Sequence, residues 1–169
     1  MLRTQLAGDY NLPNVLAAVA VGCYFKVPPA NIPTAIAQYT VTNSRSQLLQ
    51  WGTNTIILDA YNANPSSMKA AIINFAKLAA TPKMLILGAM AELGKDSLDE
   101  HQQIINLIGQ YPWKEVVLVG GDFQRASHPY RRFASAAEAK QWLAQQDIRH
   151  THILIKGSRS MQMEKVLEK

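Results

Sequence analysis

Apolar residues follow two patterns along this chain, and the pattern changes near residue 44. At the start, apolar side chains three or four positions apart predict a helix over residues 11–26, which the prolines at 28–29 end. A second, short helix is predicted over 30–39, before a polar stretch at 41–46 that we interpret as a domain boundary. Two helices of this size cannot bury their apolar faces alone. We therefore expect them to pack on the domain that follows, or on a part of the protein outside this chain.

After the boundary, short apolar runs alternate with amphipathic runs. Residues 47–51 and 55–58 are strand-like, and Gly52-Thr53-Asn54 between them predicts a hairpin turn. The further predicted strands lie at 84–87, 115–119 and 153–155, with a short additional one at 131–134. The predicted helices lie at about 65–79, 97–110, 136–145 and 159–167. Capping boxes are predicted at two of these helix starts, Ser97 with Glu100 and Ser135 with Glu138. Such alternation predicts an α/β fold, with a mostly parallel sheet and helices on both of its faces.

Composition excludes several classes of protein. The 169 residues are 48% hydrophobic and 17% charged, with a net charge of +5, which suits one ordinary globular domain or a domain plus a fragment. The densest basic group is Arg125, Arg131 and Arg132, with His128 between them. It lacks the aromatic interleaving that marks nucleic-acid binding, so we expect a solvated loop and no nucleic-acid partner. No segment reaches the roughly 18 apolar residues of a membrane span. We therefore expect no membrane insertion.

The single cysteine and the first residues bear on the cellular compartment. Cys23 stands alone, so no internal disulfide can form, and its apolar helical run predicts a buried position. The residues before Gly8 contain no apolar signal segment. Both observations fit a protein of the reducing cytoplasm.

Candidate chemistry gathers in the turn from Asp59 to Met68, between a predicted strand and a predicted helix. Asn64 is placed to cap the helix and Pro65 suits its first position. Free N–H groups and the positive end of the helix dipole would then lie beside an acid, a phenol and two amides. Ligands bind at this edge of open α/β sheets. The turn is either only a well-capped connection or one wall of a ligand site.

Three further segments can likewise be interpreted either as purely structural or as part of a ligand site. The loop Gly88–Gly94 contains Glu92, which either faces the crevice or lies on the surface. His101 downstream is expected to be a surface residue or a satisfied one, and not a ligand. Lys156-Gly157-Ser158-Arg159 follows the last strand and resembles an anion site formed by two cations and a capped helix start. Asn11 and Asn14 share one helical face, and their amides match the donor and acceptor pattern of an adenine edge, although Asn11 also suits helix capping.

Other motifs of catalysis are absent from the sequence. It contains no G-x-G-x-x-G and no G-x-x-x-x-G-K-[ST], so it has neither a dinucleotide fingerprint nor a phosphate loop of its own. Its four histidines and one cysteine lack metal-ligand spacing, and no Ser/His/Asp or Cys/His arrangement is recognisable. We therefore assign no catalytic residue and no metal ligand within this chain.

Taken in order, the segments Asp-x-Tyr-Asn-Ala-Asn-Pro-x-Ser-Met, Gly-x-Met-Ala-Glu-Leu-Gly and Lys-Gly-Ser-Arg-x-Met resemble the C-terminal part of the Mur ligases. The likeness runs from Gly8 to the C-terminus. Within the family, the type that adds D-alanyl-D-alanine is the most similar. The resemblance implies a Rossmann-like sheet for residues 44–169. It also implies that residues 1–43 are the tail of a central ATP-binding domain.

The resemblance also implies a reaction. Such ligases use ATP and Mg²⁺ to convert the carboxylate of UDP-N-acetylmuramoyl-tripeptide into an acyl phosphate, which the amine of D-alanyl-D-alanine attacks. The product serves peptidoglycan synthesis in the cytoplasm, and we expect a monomer. The phosphate loop, the magnesium ligands and the UDP-sugar domain would lie upstream, so we expect this chain alone to be inactive. The alternatives are a folylpolyglutamate-synthase-like or other Mur-type domain, and a stand-alone α/β binding module.

Residue roles follow from the same likeness. ATP contacts are implied for Asn11, Asn14, Arg45 and Asp59. Contacts to the substrates are implied for Tyr61, Asn62, Asn64, Lys156, Ser158 and Arg159. The chain departs from the family pattern at Tyr10, Ala89, Leu58 and Ala60.

Overall fold

The computed structural model describes residues 3–4, 6, 11–39 and 45–168. The predicted boundary at residues 43–44 and the departure at Tyr10 lie outside this part of the chain. Five α-helices are described: α1 (Leu12–Tyr24), α2 (Asn31–Gln38), α3 (Pro65–Lys77), α4 (Ser97–Ile108) and α5 (Ala136–Ala144). Six strands are described: β1 (Gln47–Trp51), β2 (Asn54–Asp59), β3 (Lys83–Gly88), β4 (Glu115–Val119), β5 (Arg131–Phe133) and β6 (His152–Lys156). Short 3₁₀ turns cover Gly94–Asp96, Gly121–Gln124, Arg159–Met161 and Met163–Leu167.

The six strands form one sheet in the order β1-β2-β6-β3-β4-β5. The first two strands are antiparallel and form the predicted hairpin, and every other neighbouring pair is parallel. The last strand in sequence, β6, therefore lies between β2 and β3 in space. This order brings the carboxyl ends of β2 and β6 side by side.

Helices cover both faces of the sheet, as predicted. On one face α3 and α4 bury Met68, Ile72 and Ile108 against the sheet, and on the other α5 buries Ala139 and Leu143. Because β3, β4 and β6 are covered on both sides, nearly every residue of these three strands is buried. The α/β prediction with a mostly parallel sheet is confirmed.

The helices at the start remain largely uncovered within the described part of the chain. Leu16 and Tyr24 of α1 expose 57% and 80% of their surface, and Phe25 exposes 72%. Cys23 is also exposed, so the prediction that it is buried was wrong. Val15 is the buried residue of α1, and the other apolar residues of this helix are partly or fully exposed. No helix in the described residues is long and apolar enough to cross a bilayer.

The helix caps in the structure match those predicted from the sequence at two helix starts and differ at a third. The Asn64 side chain accepts the Ser67 N–H, and Ser135 accepts the Glu138 N–H, as predicted. The predicted cap at Ser97 was wrong. The 3₁₀ turn before α4 makes Asp96 the capping position, and Ser97 is already helical.

The predicted final helix was also wrong. The chain forms two 3₁₀ turns, Arg159–Met161 and Met163–Leu167, separated by Gln162 in the left-handed conformation at φ 49°. Met161 and Met163 both turn toward glycines at the strand ends. Residues two positions apart cannot share one face of an α-helix, so this packing is incompatible with a continuous helix.

Candidate functional site

Asp59 and Lys156 form a buried ion pair at the carboxyl ends of β2 and β6. They are register partners on these parallel strands, and Lys156 Nζ lies 2.6 Å from Asp59 Oδ2. The Lys156 side chain is only 2% exposed and that of Asp59 14%. Lys156 Nζ also donates a hydrogen bond to the backbone oxygen of Asn62 at 3.1 Å. The pair therefore ties the last residue of β2 to the turn that follows it.

The other carboxylate oxygen of Asp59 holds the residue that precedes the sheet. Asp59 Oδ1 accepts the Ser46 N–H at 3.1 Å, and Ser46 is buried with φ at 50°. Ser46 Oγ in turn accepts a hydrogen bond from Asn11 Nδ2, and Asn11 Oδ1 accepts one from Asn14 Nδ2, each at 3.1 Å. The predicted shared face of the two asparagines is present. A hydrogen-bonded path therefore runs from α1 to β6. Except for Ser46, its members are residues that the sequence singled out.

Arg45 and Tyr61 stack on each other beside this path. The Arg45 Cζ atom lies 3.7 Å from the centre of the Tyr61 ring, which is within cation–π range. Arg45 is exposed and Tyr61 is 42% exposed. The stack therefore presents a cation and an aromatic edge to solvent at the end of β2.

The start of α3 is closed by its own side chains. Asn64 Oδ1 accepts hydrogen bonds from the Ser67 N–H at 2.8 Å and from Ser66 Oγ at 2.9 Å. The Asn64 N–H donates to Ser67 Oγ at 3.1 Å, which completes a capping box. Asn62 Oδ1 accepts the N–H of Ala63. Both amides thus support the turn, and both remain exposed at the surface.

The two cations of the last loop, for which the sequence predicts an anion site, have separate partners in the structure. Lys156 turns toward Asp59, and no α-helix begins after it. Ser158 is buried, its N–H donates to Ala89 O, and its hydroxyl lies 3.1 Å from Ser160 Oγ. Arg159 is paired with Glu164 at 3.2 Å. The two cations therefore do not converge on one point, because one is buried by the neighbouring strand and the other is paired along the tail.

Three glycines at strand ends form a floor for the tail, a feature that the sequence analysis missed. Gly88 ends β3, while Gly120 and Gly157 directly follow β4 and β6. A Cβ on any of these glycines would lie 2.5–2.7 Å from a Met161 or Met163 atom. We call this the glycine floor. The two methionines thus cover the ends of β3, β4 and β6, whereas Tyr61, just after β2, is 42% exposed. The sequence did contain a signal for this feature, since a glycine stands at the end of each of these apolar strands or directly after it.

His101 is buried and fixes the loop that follows β3. Its Nε2 accepts the Met90 N–H at 3.1 Å, so Nδ1 carries the proton and donates to Ser97 O at 2.6 Å. Its ring packs edge-on against Phe123. Of the two expected roles for His101, a surface residue or a satisfied one, the structure shows the second. Glu92, in the same loop, is exposed with φ at 62°.

Two other groups have displaced proton affinities. A hydrogen bond from the Ser97 hydroxyl lowers the pKa of Asp122, and Arg125 at 3.0 Å lowers it further, while burial opposes both. Burial raises the pKa of Tyr130. Arg125 belongs to the basic group noted in the sequence, and Arg132 of that group donates to the backbone oxygen of Gln124. These arginines therefore serve local loop structure.

The described residues were also tested as a metal site. Within residues 11–39 and 45–168, and the three described before them, no three His, Cys, Asp or Glu side chains converge. Asp59, the acid nearest the stack, already accepts hydrogen bonds through both oxygens. The described residues alone therefore do not fit a magnesium site.

The comparisons with known proteins agree on one family. The sequence profile of the family described as "Mur ligase, glutamate ligase domain" matches residues 44–159. The UDP-N-acetylmuramoyl-tripeptide–D-alanyl-D-alanine ligase of Treponema pallidum is 31% identical over 98% of the chain and 38% of its own length. The Bacillus subtilis protein of that name is 32% identical over 96% of the chain and 38% of its own length.

A solved structure agrees with these relatives. The crystal structure of MurF from Acinetobacter baumannii superimposes with a TM-score of 0.83 at 29% identity, over 98% of this chain and 38% of that one. The chain thus spans somewhat more than a third of the length of these relatives. Since the family profile matches more than half of its residues, the chain belongs to the Mur ligase family.

Proposed function

We propose that this chain is the C-terminal part of an ATP-dependent ligase that joins D-alanyl-D-alanine to UDP-N-acetylmuramoyl-tripeptide. The similar proteins of T. pallidum and B. subtilis carry the name of that activity. On this proposal residues 1–43 belong to an ATP-binding domain and residues 44–169 to the C-terminal domain. The uncovered apolar face of α1, which includes Leu16 and Tyr24, supports this division.

The single observation that carries the proposal is the Arg45–Tyr61 stack. An exposed guanidinium lies at the open carboxyl edge of β2, next to the path that begins at Asn11 and Asn14. On this proposal the amide of Asn14 meets the adenine edge and Arg45 meets phosphate. Arginine suits this task because its planar fork binds phosphate oxygens in pairs.

In the proposed reaction, the tripeptide carboxylate attacks the γ-phosphorus of ATP, which gives an acyl phosphate and ADP. The amine of D-alanyl-D-alanine then attacks the acyl carbon, and phosphate leaves from the tetrahedral intermediate once the amine has lost its proton. The contribution of this chain is to bind and orient. Arg45 would balance phosphate charge. The region where the amine arrives would be bordered by Tyr61, Asn62, Asn64, Ser158 and Arg159.

The sequence contains no phosphate loop, and we therefore propose that the chain on its own neither hydrolyses ATP nor forms the peptide bond. ADP release by the isolated chain, with both substrates present, would contradict this part of the proposal. Folylpolyglutamate-type activity is the competing possibility. It predicts that glutamate, and not D-alanyl-D-alanine, perturbs the residues around Asn62.

Titration of the ¹⁵N-labelled chain with millimolar ATP tests the binding assignment. We expect amide shifts centred on Asn14, Arg45 and Asp59, and weaker binding by Arg45→Ala. The matched control is Arg132→Ala, which removes an exposed arginine that bonds a carbonyl near the opposite edge of the sheet. Equal loss of affinity in both variants, or shifts confined to other regions, would refute the assignment.

D-alanyl-D-alanine is titrated in the same way. Shifts at Asn62, Asn64 and Arg159 support the dipeptide assignment. A stand-alone binding module with a different ligand predicts that neither compound shifts these residues.

A further inference from the structure

Lys156 joins the two ends of the turn that carries Tyr61. Its Nζ bonds Asp59 Oδ2, where the turn begins, and the backbone oxygen of Asn62, just beyond Tyr61. We call residues 59–62 the tyrosine turn. One buried ammonium therefore sets the distance between the ends of a turn whose only large side chain is Tyr61.

The same ion pair reaches the residue next to Arg45. Asp59 uses its second oxygen to accept the Ser46 N–H, and that bond fixes the peptide between Arg45 and Ser46. Ser46 has a positive φ, which an L-residue adopts at a cost unless surrounding contacts hold it. Asp59 and Asn11 supply such contacts to the backbone and hydroxyl of Ser46. The Lys156–Asp59 pair thus contacts the backbone next to each partner of the Arg45–Tyr61 stack.

A direct contact between Lys156 and a ligand does not fit this geometry. The side chain is 2% exposed, and its ammonium is committed to a carboxylate and a carbonyl. Releasing it would leave Asp59 buried without its counter-charge, which is unfavourable in a low-dielectric interior. Arg45 and Tyr61 are instead among the groups exposed at this edge.

We propose that Lys156 is a positioning residue: through Asp59 it holds Arg45 on the ring of Tyr61 and so presents the guanidinium toward the phosphate of a nucleotide. The phosphate contact rests on the proposed function. The link from Lys156 to the stack does not, and it is measured without any ligand.

The first experiment measures the stack in the free chain by NMR. The Tyr61 ring should shift the side-chain resonances of Arg45 upfield, and Tyr61→Leu gives the reference position for an unstacked arginine. Lys156→Met keeps the length of the apolar stem and removes the ammonium. We expect it to move the Arg45 resonances toward the Tyr61→Leu position and to speed exchange of the Ser46 amide hydrogen. Lys165→Met, an exposed lysine in the tail, is the matched control and should change neither.

A second variant covers the case in which Lys156→Met does not fold. Asp59→Asn with Lys156→Met removes both charges, so no unpaired charge remains buried, and it still removes the bond to Asn62 O. We expect the Arg45 shift to be reduced there as well. A folded variant of either kind with the full Arg45 shift and a protected Ser46 amide would overturn the proposal.

ATP titration of the same variants separates this proposal from the proposed function. An exposed cation–π contact of about 0.5–1 kcal/mol corresponds to a roughly 2- to 5-fold change in population, so we expect ATP to bind about 2- to 5-fold more weakly without Lys156. Loss of the stack without any change in ATP affinity would uphold the positioning role and would refute the phosphate contact of Arg45. Retention of the stack would refute the positioning role whatever ATP does.

Discussion

Gly88 ends β3 beneath the side chain of Met163, and we expect an alanine at this position to destabilise the domain. The added Cβ would lie 2.6 Å from Met163 Sδ and 2.7 Å from Met163 Cγ, far inside van der Waals contact. Met163 is fully buried, so its side chain cannot swing into solvent. Overpacking of this kind costs about 1–3 kcal/mol of unfolding free energy.

A double-mutant cycle identifies the clash as the cause. Met163→Ala alone should cost about 2–5 kcal/mol, because it deletes buried atoms and leaves a cavity. In the variant with both Gly88→Ala and Met163→Ala, the two clashing atoms are gone, and the nearest remaining atom is Met161 Cβ at 3.1 Å. The double variant should therefore be more stable than the sum of the single changes by roughly 0.5–3 kcal/mol.

Gly157 provides the matched comparison. An alanine there would also lie 2.7 Å from Met163 Cγ, but in addition 3.0 Å from Gly88 Cα and 3.3 Å from the Gly88 carbonyl carbon. Backbone of a neighbouring strand cannot rotate away, so Met163→Ala should relieve only part of the cost of Gly157→Ala.

Urea unfolding followed by circular dichroism measures every variant, and equal m-values confirm that the free energies are comparable. Strict additivity of Gly88→Ala and Met163→Ala would refute this account of the glycine floor. The account would also be refuted if Met163→Ala offset the destabilisation by Gly88→Ala and that by Gly157→Ala equally.

Two further predictions concern a helix start and an acid. Asn64→Ala should lower the unfolding free energy by about 0.5–2 kcal/mol in urea titrations, because it leaves the Ser67 N–H without its acceptor, whereas Asn64→Asp keeps the cap and should stay near wild type. Ser97→Ala should raise the pKa of Asp122 in an NMR titration of its carboxyl carbon, because the largest cause of the lowering is the Ser97 hydroxyl. A group with a lowered folded pKa adds stability above its unfolded pKa and loses it as the pH falls toward the folded pKa, so Ser97→Ala should narrow the stability difference between neutral and acidic pH. An unchanged Asp122 titration would contradict the second prediction.

The elements predicted best are those with strong local signals. The helix α3 begins at Pro65 as predicted, since an asparagine cap and a proline at the first position are both encoded within a few residues. The β1–β2 hairpin follows from two apolar runs around Gly52, whose φ of 61° suits a glycine in a tight turn. Neither prediction depends on knowing what packs against the segment.

The tail from residue 159 was mispredicted because its conformation is decided by distant residues. Its sequence is compatible with a helix. The glycine floor draws in two methionines that lie two positions apart, which excludes a regular helix. The floor comes from Gly88, Gly120 and Gly157, and their proximity depends on the order of strands in the sheet. Propensity within the tail carries no information about that order.

Lys156 illustrates the same limit within the candidate site. A lysine after an apolar strand has the same sequence signal whether it is exposed beside a ligand or buried beside an acid. The outcome depends on the placement of β6 next to β2, which pairs Lys156 with Asp59 from 97 positions away. Chemical type and motif order were enough to select the residues that gather at this edge. Burial then divides them, because only exposed groups such as Arg45 and Tyr61 can meet a ligand directly, and Lys156 can act only through the groups it holds.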